Sequence, residues 1–188
     1  MEGLRGVIAE LMYSWGEGGF GALGHGDSLQ STSVPTRVYP TTQQQEPLPT
    51  LAVAAGTNHS FAVVDVNGSP GVMAWGASAH GRLGIGDTTI GRNAVRGLGL
   101  GSFPAPTRCF SFDGFQVTQL ACGSVHTLAI TFGGVAWVWG DGGGGRLGNG
   151  DTKQVHTPMI IPAFKGKRTL HVRCYRRRVP LCDPPVAA

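Results

Sequence analysis

Residues 19–24 read GFGALG, a G-x-G-x-x-G pattern. In a dinucleotide-binding turn such glycines let the backbone approach a pyrophosphate at the start of a helix. That chemistry needs a helix directly after the glycines and an acidic residue about 20 positions on. Here His25, Gly26 and Asp27 follow, then Ser/Thr residues and Pro35, which do not open a helix. Glu46 stands near the acidic offset, but across a proline-broken segment. His59 and His126 have the chemistry of metal ligands or bases, yet no Cys, Asp or Glu stands beside either at ligand spacing. His25, His80, His156 and His171 form no constellation. Cys109, Cys122, Cys174 and Cys182 lie far apart, which reads as core or free thiols in a reduced compartment. No nucleophile elbow or triad signature appears. The expectation is no catalytic group, no metal and no cofactor.

The glycines belong to something larger. WGEGGFGALGHGD (15–27), WGASAHGRLGIGD (75–87) and WGDGGGGRLGNGD (139–151) align without gaps. Seven of their thirteen columns are identical, and the leading tryptophans, Trp15, Trp75 and Trp139, lie 60 and 64 residues apart. A motif present in every unit marks the architecture of the unit rather than a single cofactor site. The second and third blocks follow AAGTNHSFAVV and ACGSVHTLAIT, each with Gly, two variable residues, His and then Ser or Thr. A proline-marked segment follows each block: VPTRV (34–38), APTRC (105–109) and TPMII (157–161). One unit reads strand, Gly turn, strand, turn, Trp-Gly strand, Gly-rich loop, strand. The alternation in HSFAVV and HTLAIT fits half-buried strands. Repeated small antiparallel sheets of this kind predict an all-β fold, a partial, open β-propeller of about three four-stranded blades.

The G-x-x-H-[ST] motif (Gly56–Ser60, Gly123–Thr127) and the W-G…G-x-L-G-x-G-D block resemble the regulator of chromosome condensation repeat family over roughly residues 7–164. The resemblance implies a propeller, seven-bladed in the family. Within it, Leu23, Leu83 and Leu147 are expected to plug blade interiors. Asp27, Asp87 and Asp151 are expected to latch turns by accepting backbone N–H bonds. Trp15, Trp75 and Trp139 are expected to bury large area between blades. Gly56 and Gly123 mark turns, and His59 and His126 read as structural hydrogen-bonding groups. Arg82 and Arg146 share one loop column and are candidate partner contacts, with solvated loop residues as the plainer reading. The plant ultraviolet photoreceptor branch places Trp-Arg between the motif's Gly and His. Thr57–Asn58 and Ser124–Val125 stand there instead, which speaks against photoreception even with Trp137 beside Trp139.

The units divide the chain into a first, incomplete repeat with a polar linker (1–50), a second repeat with a loop insertion near 90–103 (51–112), a third (113–164) and a tail (165–188). The tail carries seven basic residues and one acid, whereas residues 1–164 carry eight basic and ten acidic. Nucleic-acid contact is therefore expected only through the tail, and weakly. The tail has three readings: a basic arm for nucleic acid or an import receptor, a diverged closing strand in TLHVRCY, or the product of a reading-frame change or truncation. No signal h-region or membrane-length apolar run is present, so a cytoplasmic or nuclear location is expected, not a secreted one. Function reads as a non-enzymatic protein–protein interaction module. The partner is a small GTPase or another protein, and open blade edges favour self-association. The alternative that the resemblance raises is guanine-nucleotide exchange on a Ran-type small GTPase with chromatin association. Propeller parts of HECT-type ubiquitin ligases share such repeats, but no catalytic ligase segment is seen.

Overall fold

The computed structural model describes residues 11–26, 29–39, 48–86 and 101–175. Among these residues there is no α-helix, only ten strands and short 3-10 turns. β1 (Met12–Gly16) pairs antiparallel with β2 (Thr32–Val38). β3 (Thr50–Ala55), β4 (His59–Val66), β5 (Ser69–Ala77) and β6 (Ser102–Arg108) form a four-stranded meander. β7 (Val117–Cys122), β8 (His126–Thr131), β9 (Val135–Gly140) and β10 (Val155–Ile160) form another in the same order. Each W-G pair ends the third strand of its unit. The register repeats too: Gly16 faces Thr32, Gly76 faces Phe103 and Gly140 faces Val155. β4 turns into β5 through Asn67 and Gly68, both with positive φ (53° and 82°), as a tight hairpin requires. The Asp65 carboxylate accepts the Gly68 N–H at 2.6 Å.

The middle strands differ from the half-buried expectation: β8 is buried at every position, and β4 from Phe61 to Val64. Stacking explains it. Phe61 and Val63 enter an apolar layer with Leu83, Phe112 and Trp139, towards the third unit. Ala62 and Val64 enter another with Met12, Val38 and Trp75, towards the first. Alternate residues therefore serve different neighbours, and both faces are dry, as in any sheet covered on two sides.

The departure from the repeat also moves. Residues 109–122 and 161–174 share a path at an offset of 52. Cys109 N–H bonds Val72 O and Ile161 N–H bonds Ala136 O; Phe115 N–H bonds Phe112 O and Lys167 N–H bonds Phe164 O. The strand-like stretch 169–174 follows. Gln119 Nε2 donates to Leu170 O at 2.8 Å and Gln119 Oε1 accepts from Val172 N at 3.4 Å. Thus TLHVRC runs alongside β7, with a single bridge residue at Val172, and the tail boundary drawn at 165 falls inside repeat-like structure. Residues 176–188 lie outside the described residues, as do most of the polar linker (40–47) and of the insertion (87–100). Ser102 and Phe103, read as part of that insertion, already belong to β6.

Candidate interaction surface

The motif residues meet at the blade junctions. At the first junction, Ser60 Oγ and Trp75 Nε1 both donate to the carbonyl oxygen of Ala22, at 2.9 Å each. At the second, Thr127 Oγ1 (3.0 Å) and Trp139 Nε1 (2.9 Å) both donate to the carbonyl of Arg82. One backbone carbonyl in each glycine block thus holds two donors from the following blade. Because the Thr127 hydroxyl proton is spent on Arg82, its oxygen accepts from His59 Nε2 at 2.9 Å, which sets the His59 proton on Nε2. His59 is fully buried, and burial, helped by the Arg82 charge and by His126, pushes its pKa down to about 3. Burial and the Arg146 charge push His126 down to about 4, against the pull of Asp141. Both are neutral at physiological pH, and neither is poised as a base.

Leu23, Leu83 and Leu147 are buried under this seam. Gly84 is glycine for two reasons: its φ is +67°, and a Cβ there would sit 2.8 Å from Trp139 Nε1. Gly24 faces Trp75 in the same way. The GFGALG stretch is therefore the seat of the next blade, and Trp75 and Pro104 fill the space a phosphate would need. Gly148, at the same place in the third block, has only Ile161 Cγ2 at 4.0 Å. Gly84→Ala is accordingly expected to destabilise the chain by about 1–3 kcal/mol more than Gly148→Ala in urea titrations, because both meet the left-handed backbone penalty but only the former overlaps an indole.

Two expectations for individual residues, Trp15 and Arg82, are corrected. Trp15 is not buried: it is 59% exposed, against 3% for Trp75 and 0% for Trp139, because no described blade precedes it to supply the carbonyl and the seat. Arg82 is not a surface contact. It is 5% exposed, its Nε bonds Ala79 O at 2.9 Å and its NH1 reaches Ser124 O at 3.1 Å across the junction. The third blade simply covers its column. Arg146 is half-buried and pairs with Asp141 at 3.7 Å. Asp151 does latch its turn, accepting the N–H groups of Thr152 (2.6 Å) and Lys153 (2.9 Å). Asp27 and Asp87 lie outside the described residues. Gly56 and Gly123 leave room for the rings of His59 and His126.

What stays free lies at the opposite end of the strands. Antiparallel order puts the G-x-x-H turns and glycine blocks at one end, and the β4–β5 and β8–β9 turns with the β6–β7 link at the other. That second end exposes Phe110 (70%), Phe132 (76%) and Phe115 (44%). Arg108 lies 5.4 Å over the Phe110 ring, and Phe115 packs edge-on against Trp137 at 5.0 Å. A cleft of about 460 Å³ between Phe132–Gly134 and Arg168–Leu170 opens beside them. Exposed aromatics with arginine nearby have the composition of a protein contact surface. The motif search missed these residues because they sit in no repeated column; a run of three phenylalanines at 110–115 was the available signal. Among the described residues, no group of three or more His, Cys, Asp or Glu side chains is arranged to hold a metal. Nor is any described helix long and apolar enough to cross a membrane.

Comparison with known proteins agrees with this geometry. The model of the Regulator of chromosome condensation (RCC1) repeat matches residues 11–63, 71–130 and 133–174, and a second model of that description matches 117–146. The chain is 32% identical over 165 residues to the mouse E3 ubiquitin-protein ligase HERC2, covering 87% of this chain but 3% of that protein. It is also 32% identical over 162 residues to the Ultraviolet-B receptor UVR8 of Arabidopsis thaliana, covering 86% of this chain and 32% of the receptor. The chain thus spans a third or less of these relatives. Among solved structures, Prp20p from Saccharomyces cerevisiae superposes with a TM-score of 0.72 at 21% identity, over 88% of this chain and 38% of Prp20p. With matched repeats over most of its length and the corresponding blades in place, the chain belongs to the Regulator of chromosome condensation (RCC1) repeat family.

Proposed function

We propose that the chain is a non-enzymatic protein-interaction module that binds its partner through the aromatic end of its blades. The observation that carries this reading is the division of labour between the two ends. The motif residues of the second and third units that meet a neighbouring blade are committed to the junctions, whereas Phe110, Phe115 and Phe132 are exposed, with Arg108 over the Phe110 ring. Such rigid aromatic anchors supply most of the energy of protein contacts. The test uses immobilised chain to isolate a binding protein, then repeats the measurement with Phe110→Ala/Phe132→Ala. The expected result is retention by the native chain and at least a tenfold weaker affinity for the double variant. Affinity unchanged in the double variant sinks the assignment of this end.

A second reading is guanine-nucleotide exchange on a Ran-type small GTPase with chromatin association. It is favoured by one observation: the structural neighbour Prp20p is described by its binding to Gsp1p and histones. The namesake activity comes to this chain only by that fold likeness. Nucleotide release from a loaded Ran-type GTPase separates the two readings. The interaction-module reading expects no acceleration by the chain, and a concentration-dependent acceleration would favour exchange.

A further inference from the structure

The two filled junctions define what a third one needs, and the outward face of the third blade has every part of it. Gly24 and Gly84 receive an indole, whereas Gly148 meets, among the described residues, only Ile161 Cγ2 at 4.0 Å. Gly21 and Gly81 touch the outer strand of the next blade at Pro104 and His156, while Gly145 has nothing within 4 Å. Gly26 N–H and Gly86 N–H bond the carbonyls of Pro104 and His156. No side-chain donor reaches the Arg146 carbonyl among the described residues, although its counterparts on Ala22 and Arg82 hold two donors each. His126 is fully buried there, and neither ring nitrogen has a hydrogen-bond partner, whereas its counterpart His59 bonds Thr127.

The other end of the stack carries the matching part. Trp15 stands at the register position of Trp75 and Trp139 and is 59% exposed. Gly16–Thr32 repeats the Gly76–Phe103 and Gly140–Val155 pairings, so Ser33 occupies the place of Pro104 and His156 on an exposed strand. Among the described residues β1 is paired with β2 alone.

We propose that the third blade is a socket for the first blade of a second copy. In that contact Trp15 of one copy donates its indole N–H to the Arg146 carbonyl of the other and packs on Gly148. The Ser33 carbonyl receives the Gly150 N–H. The contact is head-to-tail, so it propagates until a ring closes or a filament grows. It uses the blade faces and stands apart from the aromatic-end reading, so either can fail alone.

The experiment is sedimentation of the full chain over a concentration series, with Trp15→Ala and Gly148→Ala. The native chain is expected to self-associate. Each variant alone is expected to remain monomeric with the unfolding transition of a folded chain, Trp15 being exposed and Gly148 meeting only Ile161 Cγ2 among the described residues. Mixed one to one, the variants are expected to form a heterodimer, because one keeps the indole and the other keeps the seat. A native chain that stays monomeric throughout overturns the proposal. So does a Trp15→Ala chain that associates as strongly as the native one, or a mixture of variants that remains monomeric.

Discussion

Replacing Trp139 by alanine is expected to lower the unfolding free energy by about 3–5 kcal/mol, while Trp15→Ala in the dilute chain is expected to stay within about 0.5 kcal/mol of native. The two residues occupy one column of the repeat, so the difference isolates what the next blade does. Trp139 is fully buried, packs edge-on against Phe61 at 5.7 Å and tilted against Phe112 at 5.5 Å, and bonds the Arg82 carbonyl. Its removal opens a cavity at the centre of the layer between the second and third blades and leaves that carbonyl with Thr127 alone. Trp139→Phe keeps most of the apolar contact and drops the indole N–H, for an expected loss of about 1–2 kcal/mol. Urea titration of the three variants checks the ranking. Equal losses at Trp15 and Trp139 would contradict the stacked arrangement.

Acid is expected to be as damaging as losing the indole. His59 and His126 refuse a proton in the folded chain until about pH 3 and 4, whereas the unfolded chain takes one on each near 6.5. Between those limits the unfolded state binds more protons, so stability rises with pH. Both folded values are lowered, so this contribution is complete above about 6.5 and is lost progressively as the pH falls towards 4. The combined loss at pH 4.5 relative to pH 7 is on the order of 5 kcal/mol. Urea midpoints measured across that interval should fall steeply. A flat profile from pH 7 to 4.5 would mean that the two rings are solvated rather than buried.

Close packing explains what could be seen in the amino-acid order and what could not. The identical columns were visible because each meets a fixed neighbour, some across the junction and some within the unit: Gly84 tolerates nothing larger under Trp139, Leu83 fills a fixed gap, Gly76 abuts Asn58 and Asp151 latches its own turn. Strand order and the blade count follow from the same spacing. Arg82 was not legible, because a guanidinium between glycines reads as solvated until the covering blade is known. Trp15 was misplaced for the converse reason: its column promises burial, and only the arrangement in space withholds the neighbour. The segment 169–174 alongside β7 was obscured by divergence. Of the fourteen columns shared by 109–122 and 161–174, only Phe112/Phe164, Gly114/Gly166 and Cys122/Cys174 are identical. Backbone hydrogen bonds do not record side-chain identity, so the path persists where the motif fades. The aromatic end lay outside every repeated column and could be recognised only once Phe110 and Phe132 were seen to be exposed at the same end of the strands.

A single carbonyl holding a hydroxyl and an indole from the next blade is the unit from which this fold is assembled. It accounts for the glycines, the buried histidines and the contrast among the three repeat tryptophans. Hydrogen exchange of the indole N–H groups reads that unit directly. In dilute, monomeric chain, the Trp75 and Trp139 indole protons should exchange slowly, protected by the Ala22 and Arg82 carbonyls, and the Trp15 proton should exchange at nearly the rate of free indole. Rapid exchange at Trp139, or a Trp15 proton as slow as the other two, would contradict it.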